Sequence, residues 1–399
     1  MLSVKEALYR ILDGVSPTQA ERVALADAAH RILAEDVRAT LTQPPFDASA
    51  MDGYAIRAGD AGQPPAVLTM IGEARAGQGF SGHVGPGQCV RIFTGAPVPA
   101  GADTIVIQEN TRAQGSAVTL LDRPAVGANL RPRGGDFAED QILLSPGRLL
   151  DARAILLAAA MGHATLAVRR KPVIAVLATG DELVEPGVRP GPDQIISSNP
   201  YGLAAMIMAA GGIPRLIGIA RDTRSDLEEK IEAASDADIL VTTGGASVGE
   251  HDLVGPVLEA RGMSLDFWKI AMRPGKPMLF GRLGEQRVLG LPGNPVAALI
   301  CGRVFLIPLI DRLLGREISP FALQHAKLTV ALEENGPRQH YMRAVMARDA
   351  AGVLTVTPQH SQDSSLTRPL AASNVLIVRP ADDSARAAGE DVDVLPMDF

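Results

Sequence analysis

Aromatic residues make up only 4% of the 399-residue chain, and Trp268 is its single tryptophan. With so few rings, any core must be built from aliphatic side chains, which a hydrophobic fraction of 46% can supply. Cysteine is almost missing: Cys89 and Cys301 lie far apart and provide neither a disulfide framework nor a metal-ligand spacing. That scarcity points to a reducing, cytoplasmic setting. There is no lysine-rich run or basic tail, and 45 acidic against 38 basic residues leave a net charge of −7. Nucleic acid is thereby disfavoured as the main partner. The longest apolar stretch, Pro295 to Leu314, is interrupted by Arg303, Pro308, Asp311 and Arg312, so it reads as a core helix and not as a membrane span. The first helical stretch, Ser3 to Leu12, is amphipathic and lacks the continuous apolar centre of a signal peptide. A soluble chain without a membrane partner is expected.

A chain of this length is expected to split into about two to four domains. The 40 glycines and 29 prolines mark turns, not disorder. Helical periodicity occurs over residues 3–13 and roughly 25–34, then gives way near Val37 to short alternating strands separated by glycine and proline. Strands are predicted at 54–57, 67–71, 88–93, 104–108, 117–121 and 142–144, and helix returns at 151–161, where it is expected to pack against the N-terminal helices. From Pro172 apolar strands (near 172–178, 213–219, 238–242, 265–270, 277–281 and 287–291) alternate with helices (near 200–210, 224–235, 252–262 and 295–315). That alternation predicts a doubly wound α/β domain. Beyond Pro320 strands resume at 326–332, 343–348, 353–358 and 375–379. The expected architecture is multidomain α/β plus all-β. Residues 1–34 plus 146–170 form a small mixed helical domain, 35–145 a β-rich insertion, 171–318 the α/β domain, and 319–399 a second β domain.

The chemistry gathers at loops that follow the α/β strands. Asp238 to Thr242 reads as a buried strand, and Gly244-Gly245-x-Ser247-x-Gly249 follows it, with Glu250 and Asp252 in the same loop ahead of a helix. Strand, glycine loop and helix present backbone N–H groups to an anion, and carboxylates beside such a site imply a divalent cation between them. Alone, the loop fits equally well as the start of a helix with Asp252 as N-cap. Thr179-Gly180-Asp181-Glu182 follows the first α/β strand, and ligands of open α/β sheets bind at that edge. Asp222 belongs to the same edge or serves as the N-cap of the next helix. A loop of opposite sign carries Lys269, Arg273 and Lys276 within eight residues, stiffened by Pro and Gly, and points to a focused anion site. Pro292-Gly293-Asn294-Pro295 is a further strand–glycine–helix corner.

The β-rich insertion contributes Phe46-Asp-x-Ser-x-Met-Asp52-Gly-Tyr54, Phe93-Thr94-Gly-Ala-Pro97 and Arg131-x-x-Gly-x-Asp136, each no more than a turn by itself. Taken in order with Thr179-Gly-Asp-Glu-Leu183, Thr243-Gly-Gly-x-Ser-x-Gly249, Arg273-Pro-Gly-Lys-Pro277 and Leu291-Pro-Gly-Asn-Pro295, they resemble the molybdopterin molybdenumtransferase family, to which the gephyrin E domain also belongs. The resemblance covers nearly the whole chain. It implies an elongated homodimer whose α/β domain binds molybdopterin and whose last domain is a C-terminal β-barrel.

The resemblance also implies a reaction: molybdenum from molybdate enters adenylylated molybdopterin, and AMP leaves in a Mg²⁺-dependent step. Asp52, Thr94, Arg131 and Asp136 then match positions that reach the cleft from the insertion of a partner subunit. Glu182, Asp222 and Asp252 match acidic positions around pterin, phosphate and metal, with Glu182 and Asp252 as the metal ligands. Lys269, Arg273 and Lys276, with Pro292 and Pro295, match the part that holds phosphate and molybdate. Arg338-Gln-His-Tyr-Met-Arg343 resembles the family's Arg-x-Glu-aromatic-x-Arg segment, with His340 in place of Glu. Ser364 and Ser365 resemble a serine pair near the molybdate pocket, which makes Arg338, Ser364 and Ser365 candidate molybdate ligands. The adenylyltransferase that makes the substrate and the molybdoenzymes that receive the product are the implied partners. Two other readings stand beside this one. The α/β domain alone also resembles the molybdopterin adenylyltransferases, and a gephyrin-like member of the family also serves as a non-catalytic scaffold.

Overall fold

The structure is a computed structural model that describes residues 1–245, 253–317 and 323–397. Ser247, Gly249, Asp252 and the adjoining Glu250 lie outside those residues. The chain divides into two compact units, Met1–Glu21, His30–Ala34 and Val168–Phe399 in the first and Arg22–Ala29 and Glu35–Ala167 in the second.

The first unit is built on a six-stranded sheet. Strands Ile213–Ala220, Val173–Thr179, Ile239–Thr243 and Gln286–Leu291 run parallel, and Pro277–Leu283 and Ser264–Lys269 continue the sheet antiparallel. Side chains alternate across the pleat, so each strand feeds two cores. Ile174, Val176, Ile239, Val241 and Leu289 face one core with Leu203 and Ile207 of helix Asn199–Ala209 and with the helices after Pro295. Ala175, Leu177, Leu240 and Val288 face the other with Leu227 and Ile231 of helix Arg224–Glu232 and Val257 and Leu258 of helix Val254–Ala260. Both faces are covered, as in a doubly wound fold.

The expected helix 295–315 is three segments, Pro295–Cys301, a π-type turn Gly302–Leu306, and Ile307–Leu313. Pro308 has no N–H to give to the preceding turn, and a wide turn just before it absorbs the missing bond. Gly302 permits the packing there, since a Cβ on it would lie 2.9 Å from the Met206 sulfur.

Helix Val4–Leu12 begins with a capping box in which Ser3 and Glu6 satisfy each other's backbone N–H groups. Its buried side chains Val4, Ala7, Leu8 and Ile11 belong to the α/β core. Helix Ala152–Ala160, by contrast, belongs to the second unit. The apolar face of the first helix shares its core with Phe305 and Leu309. A second expected helix, near 25–34, is a 3₁₀ turn at Leu25–Asp27 only. His30 at φ 62° sits in the left-handed region, where a right-handed helix cannot continue. Strands Ala20–Ala24 and Thr165–Arg169 were not predicted.

The second β region closes on itself. Strands Gln339–Arg348, Leu354–Pro358, Gln324–Leu328, Asp391–Pro396 and Val375–Arg379 pair in that order, and the last pairs with the first to make a five-stranded barrel. The final strand was missed although Val392 and Val394 alternate as a strand requires. Tyr341, Leu376, Val378 and Leu395 reach into the same core as the α/β sheet, so barrel and α/β layers are one packed body.

In the second unit a six-stranded sheet has the order Thr104–Ile107, Gly53–Ile56, Gln88–Ile92, Ala66–Ala74, Ala117–Leu120 and Thr111–Gln114. It too is buried on both faces, with Tyr54, Ile56 and Cys89 on one side and Ala55, Val90 and Ile105 on the other. Gly53 has to be glycine, since a Cβ there would fall 1.9 Å from the Val106 carbonyl oxygen.

Leu8 is 1% exposed. Leu8→Ala is expected to lower unfolding stability by roughly 2–4 kcal/mol through lost burial and a residual cavity. An unchanged denaturation midpoint would show that this helix lies outside the α/β core.

Candidate active site

Three neighbouring parallel strands end side by side at Thr179, Thr243 and Leu291. Each gives way to a loop, and the loops bound a cleft of about 700 Å³. The Gly244 N–H donates to the Leu291 carbonyl at 3.3 Å, tying the second loop to the third. Gly244 at φ +87° has no room for a side chain, because a Cβ would lie 2.6 Å from the Thr179 carbonyl oxygen. The glycines of this loop thus bring one backbone against another and leave the cleft floor to peptide groups and the Thr179 and Thr243 side chains.

The cleft gathers Thr179, Glu182, Gly244, Gly245, Pro292, Asn294, Pro295 and Ser365 of the predicted residues. Ser364 joins through its hydroxyl, which accepts from Asn294 Nδ2 at 2.8 Å. The Ser364 carbonyl accepts from Val296 N–H at 3.2 Å and so satisfies a free donor in the first turn of helix Pro295–Cys301. Gly180 and Asp181 adjoin the cleft, and Asp222 sits next to them with its N–H 3.3 Å from Asp181 Oδ1. Asp222 is not the cap of the following helix. Thr223 is, its side chain accepting from Asp226 N–H.

The cationic loop lies along the barrel. Met272–Arg273 pairs in parallel with Gln339–His340, which sets Arg273 beside His340 and two residues from Arg338. Lys269 rests its ammonium 3.7 Å from the centre of the Trp268 ring, and its strand partner Pro277 lines the cleft. Lys276 is exposed. Among the described residues, Lys269, Arg273, Lys276 and Arg338 do not line the cleft wall and form no ion pair.

In the second unit the three insertion motifs are knitted by backbone bonds. Ser49 exchanges bonds with Gly95 and Ala96, Ala50 N–H reaches Asn129, and Arg131 pairs with Ala48. Asp136 N–H donates to the Gln43 carbonyl at 3.1 Å. Asp52 Oδ1 accepts from both the backbone N–H and the hydroxyl of Thr94, each at 2.8 Å. Those two bonds, with Arg91 nearby, hold the Asp52 carboxyl below its usual range. The side chain is a fixed anion.

Several cleft residues escaped the sequence reading: Ser197, Ser198, Asn199 and Thr367. Asn199 Nδ2 donates to the Gly293 carbonyl at 2.6 Å and braces that loop from the neighbouring helix. The signal available was Ser197-Ser-Asn-Pro200, a polar run with Pro at the first turn of a helix.

His340 is 7% exposed, and burial, reinforced by Arg273, Arg379 and Arg338, pushes its imidazole down to about 4. It therefore stays neutral in the folded chain while the unfolded chain takes up a proton below pH 6.5. Stability is expected to fall as pH drops from about 6.5 to about 4, by roughly 3 kcal/mol in all, and then to level off. His340→Gln should remove that slope from urea midpoints measured between pH 7 and pH 4. An identical slope in the variant would assign it to other groups.

Comparison with known proteins bears on the whole chain. Residues 2–162 match the MoeA N-terminal region (domain I and II), residues 175–312 a probable molybdopterin binding domain, and residues 325–397 the MoeA C-terminal region (domain IV). The chain is 34% identical over 407 residues to the molybdopterin molybdenumtransferase of Haemophilus influenzae, covering 100% of this chain and 99% of that protein. It is 33% identical over 406 residues to the enzyme of the same name from Bacillus subtilis, covering 99% and 94%. The crystal structure of the molybdopterin biosynthesis moea protein from Pyrococcus horikosii superposes with a TM-score of 0.88 at 28% identity, with all of both chains covered. The chain belongs to the molybdopterin molybdenumtransferase family.

Proposed function

We propose that this chain inserts molybdenum from molybdate into adenylylated molybdopterin, releasing AMP and yielding molybdenum cofactor. The observation that carries this reading is the cleft in which three α/β strand ends meet the barrel's serine loop: Thr179, Glu182, Gly244, Gly245 and Asn294 on one side, Ser364 and Ser365 on the other.

The chemistry asks for such a site. Molybdate is a dianion and an adenylylated substrate carries a pyrophosphate. Two unit charges 4 Å apart repel by about 4 kcal/mol at an effective dielectric of 20. Lys269, Arg273, Lys276 and Arg338 offset that repulsion from the cleft's margin. The serine pair divides its work. Ser365 gives its hydroxyl proton to Asp363 Oδ1 at 2.8 Å, whereas Ser364 accepts from Asn294 and keeps its proton for a molybdate oxygen. Gly245 lines the cleft, and its backbone amide faces the phosphates.

A divalent cation suits the donors present. Mg²⁺ takes one or two protein carboxylates and completes its shell with water and substrate phosphate. Glu182 supplies one carboxylate at the cleft. We assign Glu182 and Asp252 as the Mg²⁺ ligands, the latter outside the described residues; the cation's chemistry is to neutralise and polarise the phosphoanhydride.

We place the reaction in a cytoplasmic homodimer with four domains in each subunit. In it Asp52, Thr94, Arg131 and Asp136 of one subunit serve the partner's cleft. Among the described residues no helix is long and apolar enough to cross a membrane.

Glu182 is exposed, so Glu182→Ala is expected to leave unfolding unchanged while lowering molybdenum insertion by about 100-fold or more. The assay supplies purified protein with adenylylated molybdopterin, molybdate and Mg²⁺, and follows AMP and cofactor. A protein that adenylylates molybdopterin from ATP yet fails to consume the product with molybdate would overturn the reading. Sedimentation at micromolar concentration tests the dimer, which a single species of about 42 kDa would exclude.

A further inference from the structure

Arg91 lies on strand Gln88–Ile92 of the second unit, in register with Tyr54 on the neighbouring strand and two residues before Phe93. Its guanidinium sits over both rings, 5.1 Å from the centre of Tyr54 and 4.9 Å from that of Phe93. Two neutral oxygens hold the fork. Nη1 donates to the Gly53 carbonyl at 3.2 Å, and Nη2 donates to Gln108 Oε1 at 2.6 Å. Among the described residues Arg91 forms no ion pair, and Glu73, its register partner on the strand to the other side, pairs with Arg75.

What the fork holds is the turn that carries Asp52. Gly53 follows Asp52 directly, and the Gln108 N–H donates to the Asp52 carbonyl at 3.1 Å. Arg91 thus ties the Asp52–Gly53 backbone to Gln108, the residue that already holds it from the far side. Its own strand runs on through Phe93 to Thr94, whose N–H and hydroxyl both go to Asp52 Oδ1. Asp52 Oδ2 has no protein donor among the described residues. We infer that Arg91 is a positioning residue for Asp52: its fork locks the Asp52–Gly53 turn, Gln108 and the Phe93–Thr94 corner together, so that Thr94 keeps Oδ1 and Oδ2 is presented to the reaction. The inference rests on the proposed molybdenum insertion, in which Asp52 serves a cleft. A planar guanidinium can lie flat on two rings while its edge reaches two acceptors, which a lysine ammonium cannot do. The Thr94 bonds hold the Asp52 carboxyl below its usual range, and the charge of Arg91 adds a smaller pull. Such a clasp matters because displacing a reacting group by about 1 Å costs on the order of 100-fold in rate.

The experiment compares the full chain and its variants in two ways. One is steady-state molybdenum insertion, with kcat and with KM for each substrate; the other is the titration of the Asp52 carboxyl followed by carbon NMR. Arg91→Met keeps an apolar stem over the rings and removes the fork. It is expected to lower kcat about tenfold or more, to leave both KM values within about twofold, and to move the Asp52 titration upward. Arg91→Lys keeps the charge without the fork and should show the same losses. Asp52→Asn should lower kcat, and Arg91→Met should add nothing in that background. Val118→Ala, in the core of the same sheet, lowers stability as a control and should leave kcat and the Asp52 titration as in the native protein. Additive losses, a rise in KM as the main effect, an Asp52 titration unmoved by Arg91→Met or moved equally by Val118→Ala, or native behaviour of Arg91→Lys would each overturn the inference. If Arg91→Met does not fold, Gln108→Leu, at an exposed position, releases the fork instead, with the same expected outcomes. Absence of molybdenum insertion by the native protein would refute the functional reading itself, whereas the titration still decides whether Arg91 positions Asp52.

Discussion

The close approach of backbone at the carboxyl edge of the α/β sheet is the constraint on which the rest depends. Adjacent strands end at Thr179, Thr243 and Leu291, and the chain can leave that edge without side chains in the way only because Gly244 stands where a Cβ would strike the Thr179 carbonyl. Strands buried on both faces expose their polar groups only at their ends, so a parallel sheet presents its useful chemistry at one rim. The apolar alternation of Ile174, Ala175, Val176 and Leu177 therefore does more than make a core. It delivers three loops to one place and holds them there.

A second body supplies what the rim lacks. The barrel shares its interior with the α/β layer through Tyr341, Leu376 and Leu395, and this common core fixes the serine loop over helix Pro295–Cys301. Arg273 links the two through its pairing with His340. The same seam collects Arg273, Arg338 and Arg379 around a neutral histidine. Of these, Arg379 is paired with Asp383, whereas Arg273 and Arg338 form no ion pair among the described residues. Neutral His340 avoids adding a further positive charge to that seam, and it does so because it is dry.

Much of the fold was legible along the chain. Period-two and period-3.6 patterns located the α/β strands and most helices to within a few residues, because each element buries its face against immediate neighbours and its pattern reports that burial. The exceptions have physical causes. Residues 25–34 carry helical spacing, yet His30 adopts a left-handed conformation and the apolar positions are met by other elements. The N-terminal helix was recognised from its apolar stripe, but nothing in that stripe says which partner it faces. Asp391–Pro396 went unread because a short barrel strand needs partners distant in sequence to be a strand at all.

The sequence alone determined the order of elements, the residue types at each loop and the family to which their spacing belongs, because glycine corners, capping residues and apolar periods act locally. Tertiary structure decided which loops meet. It assigned Thr223 and not Asp222 as a helix cap, brought Asn199 and Thr367 to a cleft that no motif had marked for them, and gave Ser364 a different hydrogen-bond role from Ser365. It also turned Arg91 from one arginine among many into a fork bonded to Gly53 and Gln108 beside Asp52. Contacts between residues tens of positions apart depend on how sheets and barrel pack, and no local pattern encodes that distance.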